Sequence, residues 1–173
     1  MSLSSLSNLT KPMSWPDIAR LPELVKAGFG RAGFVEPLNI FGEAVYIKAT
    51  GAQTGGLWSM IEQVTPAAGG PPVHSHGRED EGFFILEGEY LFLVGEDRIK
   101  AYPGDFLWAP RNVPHTFLNI GSGTARATVV MSPPGMENFF SEIAAISGPP
   151  EPEEIGRIFA KYGLEVLGPP LTL

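Results

Sequence analysis

The sequence of 173 residues contains no cysteine, only three histidines and comparatively few charged side chains. Without cysteine the chain can form neither a disulfide bond nor a thiolate metal site. Charged residues make up 18% of the chain, against about 25% in an average globular protein. Acidic residues outnumber basic ones by 19 to 12. Because binding to a phosphate backbone requires a basic surface, we expect no nucleic-acid partner.

Long apolar runs are missing as well. No uninterrupted apolar stretch approaches the roughly 18 residues of a membrane span, so we expect no membrane partner. The first ten residues, MSLSSLSNLT, have neither the basic segment nor the apolar segment of a secretion signal. Together these two observations predict a cytoplasmic protein.

Glycine and proline are abundant, with 21 and 17 residues, and 43% of the chain is apolar. This composition favours short strands joined by turns over a helical bundle. Turn sequences such as EGE, GED and PGD separate short apolar runs, which is typical of an all-β sandwich or closed barrel. The predicted strands are Glu43–Ala49, Leu57–Val64, Pro72–His76, Gly82–Leu86, Tyr90–Val94, Arg98–Ala101, Phe106–Ala109, His115–Asn119 and Ala125–Met131.

The hydrophobic pattern changes near the C-terminal end. Apolar side chains recur every three or four residues from Met136 to Ile146, which predicts an amphipathic helix. A second such pattern from Pro152 to Tyr162 predicts another helix, and the two apolar faces are expected to cover the barrel or to form a dimer seam. The expected organisation is an N-terminal arm packing on the barrel at 1–40, a β-barrel at 41–133 and a C-terminal helical tail at 134–173.

The histidines are the first candidates for chemistry. His74 and His76 are two positions apart in a predicted strand, so both imidazoles point to the same face. Glu81 shares a strand face with apolar side chains, where an unpaired carboxylate is costly and a metal cation would remove that cost. His115 follows much later in the chain. Taken singly, each histidine is as readily a surface or core residue, and the acidic stretch around Glu81 a solvated turn.

The spacing of these residues resembles the first of the two sequence motifs of the cupin family. His74 and His76 are followed by four residues, Glu81, six residues and Gly88, as in the family motif. The leading glycine stands one place late, because the expected position is occupied by Ala68.

The second cupin motif is also matched. Gly104, Pro110, His115 and Asn119 stand at the family spacing, and only the middle glycine departs, replaced by Asn112. Asparagine is the residue that best replaces glycine at positive φ, so we expect the turn to be preserved.

This resemblance implies an all-β fold with one small cupin β-barrel, a double-stranded β-helix or jelly roll, flanked by an N-terminal extension and two C-terminal helices. It also implies one divalent transition metal, Mn, Fe, Co, Ni, Cu or Zn, among which the ligand types do not discriminate. Glu79 is a candidate partner for a ligand imidazole, or else a solvated rim residue. The implied metal ligands are His74, His76, Glu81 and His115.

Within the family, the sequence is similar to small single-domain cupins of the quercetin 2,3-dioxygenase type. The segments that carry the similarity are PPVHSHGREDEGFFILEGE, GDFLWAPRNVPHTFLN and SPPGMENFF. The implied activity is a dioxygenase that acts with O₂ on an aromatic or enolic, flavonol-like small molecule, with Glu81 as the catalytic base. The implied assembly is a homodimer.

The substrate expected from this resemblance is apolar or aromatic, so apolar side chains should form its pocket, although each candidate is at least as readily an ordinary core residue. Two other functions stay open: a protein that binds a metal and a small molecule without turnover, and a non-redox metalloenzyme of the isomerase type. The candidate pocket residues are Met60, Phe83, Ile85, Phe92, Trp108 and Phe117, along with Trp58.

Overall fold

The computed structural model describes residues 36–148 and 151–172. Residues 1–35 of the expected N-terminal arm lie outside the described residues. The described helices are α1 (Met136–Ala144) and α2 (Pro152–Tyr162). The described strands are β1 (Leu38–Ile40), β2 (Glu43–Ala49), β3 (Ser59–Thr65), β4 (Pro72–His76), β5 (Asp80–Glu87), β6 (Tyr90–Val94), β7 (Asp97–Ala101), β8 (Phe106–Ala109), β9 (His115–Asn119), β10 (Ala125–Ser132) and β11 (Leu164–Pro170).

These strands form two antiparallel sheets. The order in the first sheet is β1-β2-β3-β10-β5-β8, and the order in the second is β11-β4-β9-β6-β7. The two sheets are separate ladders rather than one closed hydrogen-bonded cylinder, an arrangement that is compatible with a jelly roll. The prediction of an all-β fold with two C-terminal helices is confirmed.

The core lies between the two sheets. Along β10 every second residue is buried, because successive side chains of a strand point to opposite faces of the sheet. Across the core, the ring of Phe83 in the first sheet lies 5.2 Å from that of Phe92 and 6.0 Å from that of Phe117 in the second. Burying each of these rings stabilises the fold by about 1.5–3 kcal/mol.

The turns of the two motifs contain residues with positive φ. Gly88 has φ 83°, and a Cβ atom there would lie 2.5 Å from the Cβ of Ala125, so only glycine fits. Asn112 has φ 61°, and its N–H donates to the carbonyl of His76 at 2.8 Å, which joins the second turn to β4. Ala68 has φ 57°, so it keeps the backbone conformation of the glycine that the motif places there.

The two helices pack on each other; α1 also packs on β1 and β3 of the first sheet, and α2 on β11 of the second. Pro152 and the glutamates after it begin α2 in favourable positions, and Gly163 with φ 75° ends it. In α1 the ring of Phe139 lies 5.1 Å from that of Phe159 in α2. Neither described helix is long and apolar enough to cross a membrane.

The strand β11 is a feature that the sequence analysis did not predict. It pairs antiparallel with β4, so that Leu164 lies opposite His76 and Val166 opposite His74. Its glycine and prolines obscure the strand pattern, yet proline is tolerated on an edge strand. The last strand of the chain therefore lies beside the strand that carries two candidate metal ligands.

Candidate metal centre and its cavity

Three strands bring the predicted ligand residues together. His74 and His76 lie on β4, Glu81 lies on β5, and His115 begins β9, where it is paired directly with His74. One ligand atom from each of the four residues can be chosen so that all four lie within 4.8 Å of one another. Residues separated by up to 41 positions in the chain thus form one cluster, because the two sheets face each other there.

The imidazole tautomers are set by backbone carbonyls. The Nδ1 of His74 lies 2.8 Å from the carbonyl oxygen of Pro72, and the Nδ1 of His115 lies 2.9 Å from that of Val113. Because a carbonyl oxygen only accepts, each Nδ1 carries a proton, which leaves the Nε2 of each ring as the atom that can bind a cation. The Nε2 of His115 lies 3.1 Å from the Oε2 of Glu81. This arrangement of donors fits a bound cation.

His76 and Glu79 leave buried polar atoms without a partner. The Nδ1 of His76 and the Oε2 of Glu79 are 3.6 Å apart, too far for a hydrogen bond, and neither has a partner among the described residues. Across the ring, the Nε2 of His76 lies 3.6 Å from the Oε2 of Glu81. Glu79 therefore lies where it could accept the Nδ1 proton of His76 after a small movement.

The electrostatics of the cluster favour the ligand forms of His74 and Glu81. Burial, together with the neighbouring imidazoles, lowers the pKa of His74 to about 4. Burial raises the pKa of Glu81, but the three histidines outweigh it and hold the pKa at about 2. Burial lowers the pKa of His76, yet the carboxylates of Glu81 and Glu79 outweigh this effect and leave that pKa raised.

An exposed ion pair fixes the backbone on either side of the cluster. The Nε of Arg111 donates to the Oδ1 of Asp80 at 2.9 Å, and its Nη2 donates to the Oδ2 at 2.8 Å. The hydrogen bonds from Arg111 lower the pKa of Asp80 to about 2. Because Asp80 precedes Glu81 and Arg111 lies in the turn before His115, the pair joins the two segments that carry these residues.

A cavity of about 600 Å³ opens beside the cluster, and His74, His76 and Glu81 form part of its wall. Most of the wall is apolar, and neither lysine nor arginine is among its described lining residues. The predicted pocket residues Phe83 and Phe117 lie on this wall. The other apolar lining side chains come mainly from the first sheet, both helices and β11: Ile40, Phe41, Ile61, Val129, Met136, Phe139, Phe140, Ile155, Phe159, Leu164 and Val166.

The structure corrects the other predicted pocket residues. Ile85 and Phe92 are buried in the core but do not line the cavity. Trp108 is 50% exposed, since its two strand neighbours are the inward-facing residues of β8. Met60 likewise alternates with inward-facing residues of β3, and Trp58 precedes that strand without reaching the wall. All four residues of β8, FLWA, are apolar, so no alternation of polar and apolar side chains identifies the inner face of this strand.

The sequence analysis did not predict two polar side chains of the cavity wall. Glu43 begins β2 and Gln63 lies near the end of β3. The available signal was the strand EAVYIKA, in which Glu43 shares a face with Val45 and Ile47. A carboxylate on an otherwise apolar strand face was the same feature that singled out Glu81.

Comparison with a family model identifies the domain that contains the cluster. Residues 60–131 match the model of the Cupin domain. An RmlC-like cupin from Shewanella frigidimarina has a similar structure, with a TM-score of 0.56, 18% identity and coverage of 67% of this chain and 98% of that one. At this identity the likeness concerns the fold alone.

Two curated relatives match over only part of their length. An uncharacterized protein of Methanocaldococcus jannaschii is 28% identical over 76 residues, which are 44% of this chain and 61% of the relative. Quercetin 2,3-dioxygenase of Bacillus subtilis is 25% identical over 99 residues, which are 57% of this chain and 28% of that enzyme. The chain thus spans less than two thirds of the length of either relative.

Proposed function

We propose that this chain, in which residues 60–131 match the model of the Cupin domain, is a metal-dependent dioxygenase of small aromatic or enolic molecules. The observation that carries this proposal is the cluster of His74, His76, Glu81 and His115, of which the first three form part of the wall of a largely apolar cavity. Similarity to quercetin 2,3-dioxygenase of Bacillus subtilis supports the type of reaction. A flavonol-like molecule, with a hydroxyl beside a carbonyl, is the substrate class we infer.

The metal would be held by three imidazole nitrogens and one carboxylate oxygen. This set of donors suits Mn, Fe, Co, Ni, Cu or Zn. A bound divalent ion supplies Lewis acidity, which lowers the pKa of a substrate hydroxyl placed next to it. His74 and His115 are held for this role by the carbonyls that accept their Nδ1 protons.

Glu81 has a second role in the proposal, as the base that takes the hydroxyl proton of the substrate. Its side chain is only 6% exposed, so the proton would pass directly from substrate to carboxylate without bulk water. The Nε2 atoms of His115 and His76 lie 3.1 and 3.6 Å from its Oε2, so one ion bound by all three residues would hold the carboxylate in place. The deprotonated substrate then reacts with O₂, and both oxygen atoms enter the product.

The apolar wall determines which molecules enter. Phe83 and Phe117 contribute aromatic rings to the wall, and side chains of both helices contribute further apolar surface. Without lysine or arginine among the described lining residues, the cavity offers no cation to a phosphorylated sugar. The wall therefore favours an uncharged aromatic molecule and keeps water from the reacting atoms.

Oxygen uptake with a flavonol tests the proposal. The protein would be reconstituted separately with each of the six metals, and His76→Ala would serve as the variant that loses a ligand. In Glu81→Gln we expect turnover to fall by ~10²–10⁴-fold, the usual contribution of a general base, while part of the metal affinity remains. Glu89→Gln, the same change at an exposed position, should leave uptake unchanged.

Each outcome has a definite meaning. Uptake that depends on metal and is lost in His76→Ala would establish oxygenation at this cluster. Unchanged uptake in Glu81→Gln would remove Glu81 from the role of base. Absence of uptake in protein shown to hold metal would overturn the dioxygenase and favour non-redox chemistry or binding alone, which anaerobic product analysis separates.

A further inference from the structure

The polar pair Glu43–Gln63 on the cavity wall is not used by the proposed chemistry. Glu43 faces inward at the start of β2 and is only 9% exposed. The side-chain amide of Gln63 donates to its Oε2. Both residues line the same cavity as the candidate metal ligands.

Glu43 has an unused hydrogen-bonding atom. Its Oε1 is buried and has no partner among the described residues. Burial raises the pKa of this carboxyl to about 7, and the hydrogen bond from Gln63 offsets only part of the effect. Because a buried polar atom without a partner is costly, native proteins retain one mainly where it serves a purpose.

The pair lies at some distance from the metal ligands. On the metal side, Glu81 of β5 is paired with Met131 of β10, which is paired with Ser59 of β3. On the other side, Ala44 of β2 is paired with Val64 of β3, so Glu43 lies level with the next residue of β3. These positions are about six residues, or ~20 Å, apart along the strand direction, and three strand spacings, or ~14 Å, apart across the sheet. The side chains shorten this span from both ends. One elongated molecule could therefore reach both groups.

We propose that the Glu43–Gln63 pair is a specificity subsite that accepts a hydrogen bond from a hydroxyl at the end of the substrate remote from the metal cluster. This inference rests on the proposed function and narrows it. The substrate class becomes an elongated aromatic molecule of two or more rings. It carries a metal-binding hydroxyl at one end and a hydrogen-bond donor at the other, with apolar surface between them against Phe83 and Phe117.

The chemistry of the pair selects a donor rather than an acceptor. Above pH ~7 the Glu43 carboxyl is ionised and both of its oxygens accept, and the amide of Gln63 is already directed to one of them. A carboxylate or phosphate at the remote end of a ligand would be repelled, since no described lining residue is basic. A phenolic or alcoholic hydroxyl fits without a change of charge.

The test compares two probes that differ by one hydroxyl. Metal-loaded protein at pH 8, where Glu43 is ionised, is titrated without oxygen so that no turnover occurs. The ligands are 3-hydroxyflavone and its 4′-hydroxy derivative, and the Kd of each is measured by fluorescence. We expect the wild-type protein to prefer the hydroxylated probe by about tenfold, the usual effect of a hydrogen bond to a charged group. In Glu43→Met this preference should disappear, because methionine offers no oxygen to the 4′-hydroxyl, whereas the affinity for 3-hydroxyflavone should not fall.

The controls separate the subsite from the fold and from the substrate class. Glu89→Met, the same change at an exposed position, should keep the wild-type preference. Glu43→Gln retains one acceptor oxygen and serves as the second variant if Glu43→Met does not fold, with a reduced preference expected. The subsite would be overturned if the Glu43 variants kept the preference, or if they lost affinity equally for both probes. Neither result would contradict the proposed dioxygenase activity. If neither probe binds the metal-loaded wild type, the flavonol-like substrate class is wrong and the subsite falls with it.

Discussion

The buried carboxyl of Glu43 makes a quantitative prediction about stability and pH. Its pKa is about 7 in the folded protein and 4.5 ordinarily, so the folded state holds the proton more tightly than the unfolded state does. The stabilisation from this proton is complete below pH 4.5 and is lost as pH rises through about 7. Since each pKa unit is worth ~1.4 kcal/mol, the loss amounts to about 3 kcal/mol at pH 8.

Glu43→Gln removes this dependence because its amide stays neutral. We expect the free energies of unfolding of variant and wild type to be similar near pH 4.5 and to diverge as pH rises, with the variant about 3 kcal/mol more stable at pH 8. Urea unfolding of both proteins from pH 4.5 to 8, under identical metal conditions, measures the difference directly. Glu89→Gln, at an exposed site, should follow the wild type. A difference between Glu43→Gln and wild type that stays constant over this range would refute the reasoning.

Three other predictions concern the metal, a turn and the helical cover. Metal affinity should fall as pH drops, beginning above pH 6.5, because His76 must be deprotonated to bind and its pKa is raised above that value; undiminished affinity at pH 5 in a competition assay with a chelator would contradict this. Ala68→Gly should stabilise the protein by up to about 1 kcal/mol in urea unfolding, because glycine adopts φ 57° without strain, and a loss of stability would count against it. Phe139→Ala should cost about 3–5 kcal/mol in the same assay, because it opens a hole between the helices and the cavity; a cost below 1 kcal/mol would show that the helices pack loosely.

The candidate ligands could be predicted because their spacing is tied to the backbone. His74 and His76 share a face for the geometric reason that any strand alternates, and the second motif fixes His115 through a turn that Asn112 preserves. The two C-terminal helices followed from apolar periodicity in the same direct way. At these places the sequence pattern alone predicts the structure, because the same residues that produce the pattern also form the strand or helix.

The pocket wall could not be predicted as well, because it depends on which strands and helices meet. Trp108 and Met60 are apolar but lie on the outer face of the first sheet. For Trp108 the sequence does not reveal this, because all four residues of β8 are apolar. The strand β11 has its pattern interrupted by proline, so only its pairing with β4 identifies it. Glu43 needed the fold to show that its strand face meets the cavity.

Several expectations from the sequence stay predictions. They are the roles of the individual residues, the homodimer, the cytoplasmic location, the lack of a nucleic-acid partner and the three-part organisation at 1–40, 41–133 and 134–173. The dimer is the most accessible of them, because light scattering of the purified chain measures the oligomer directly. A monomer at micromolar concentration would contradict it.

The pairing of β11 with β4 also bears on how the protein is made. A chain emerges from the ribosome N-terminal end first, so β4 and β9 are available before residues 164–170 exist. Until then one edge of β4 is unpaired, and an open edge can pair with the same edge of another nascent chain. The final strand therefore acts as a cover that ends this vulnerable interval, and a chain cut short after α2 would tend to self-associate rather than simply lack one wall of its cavity.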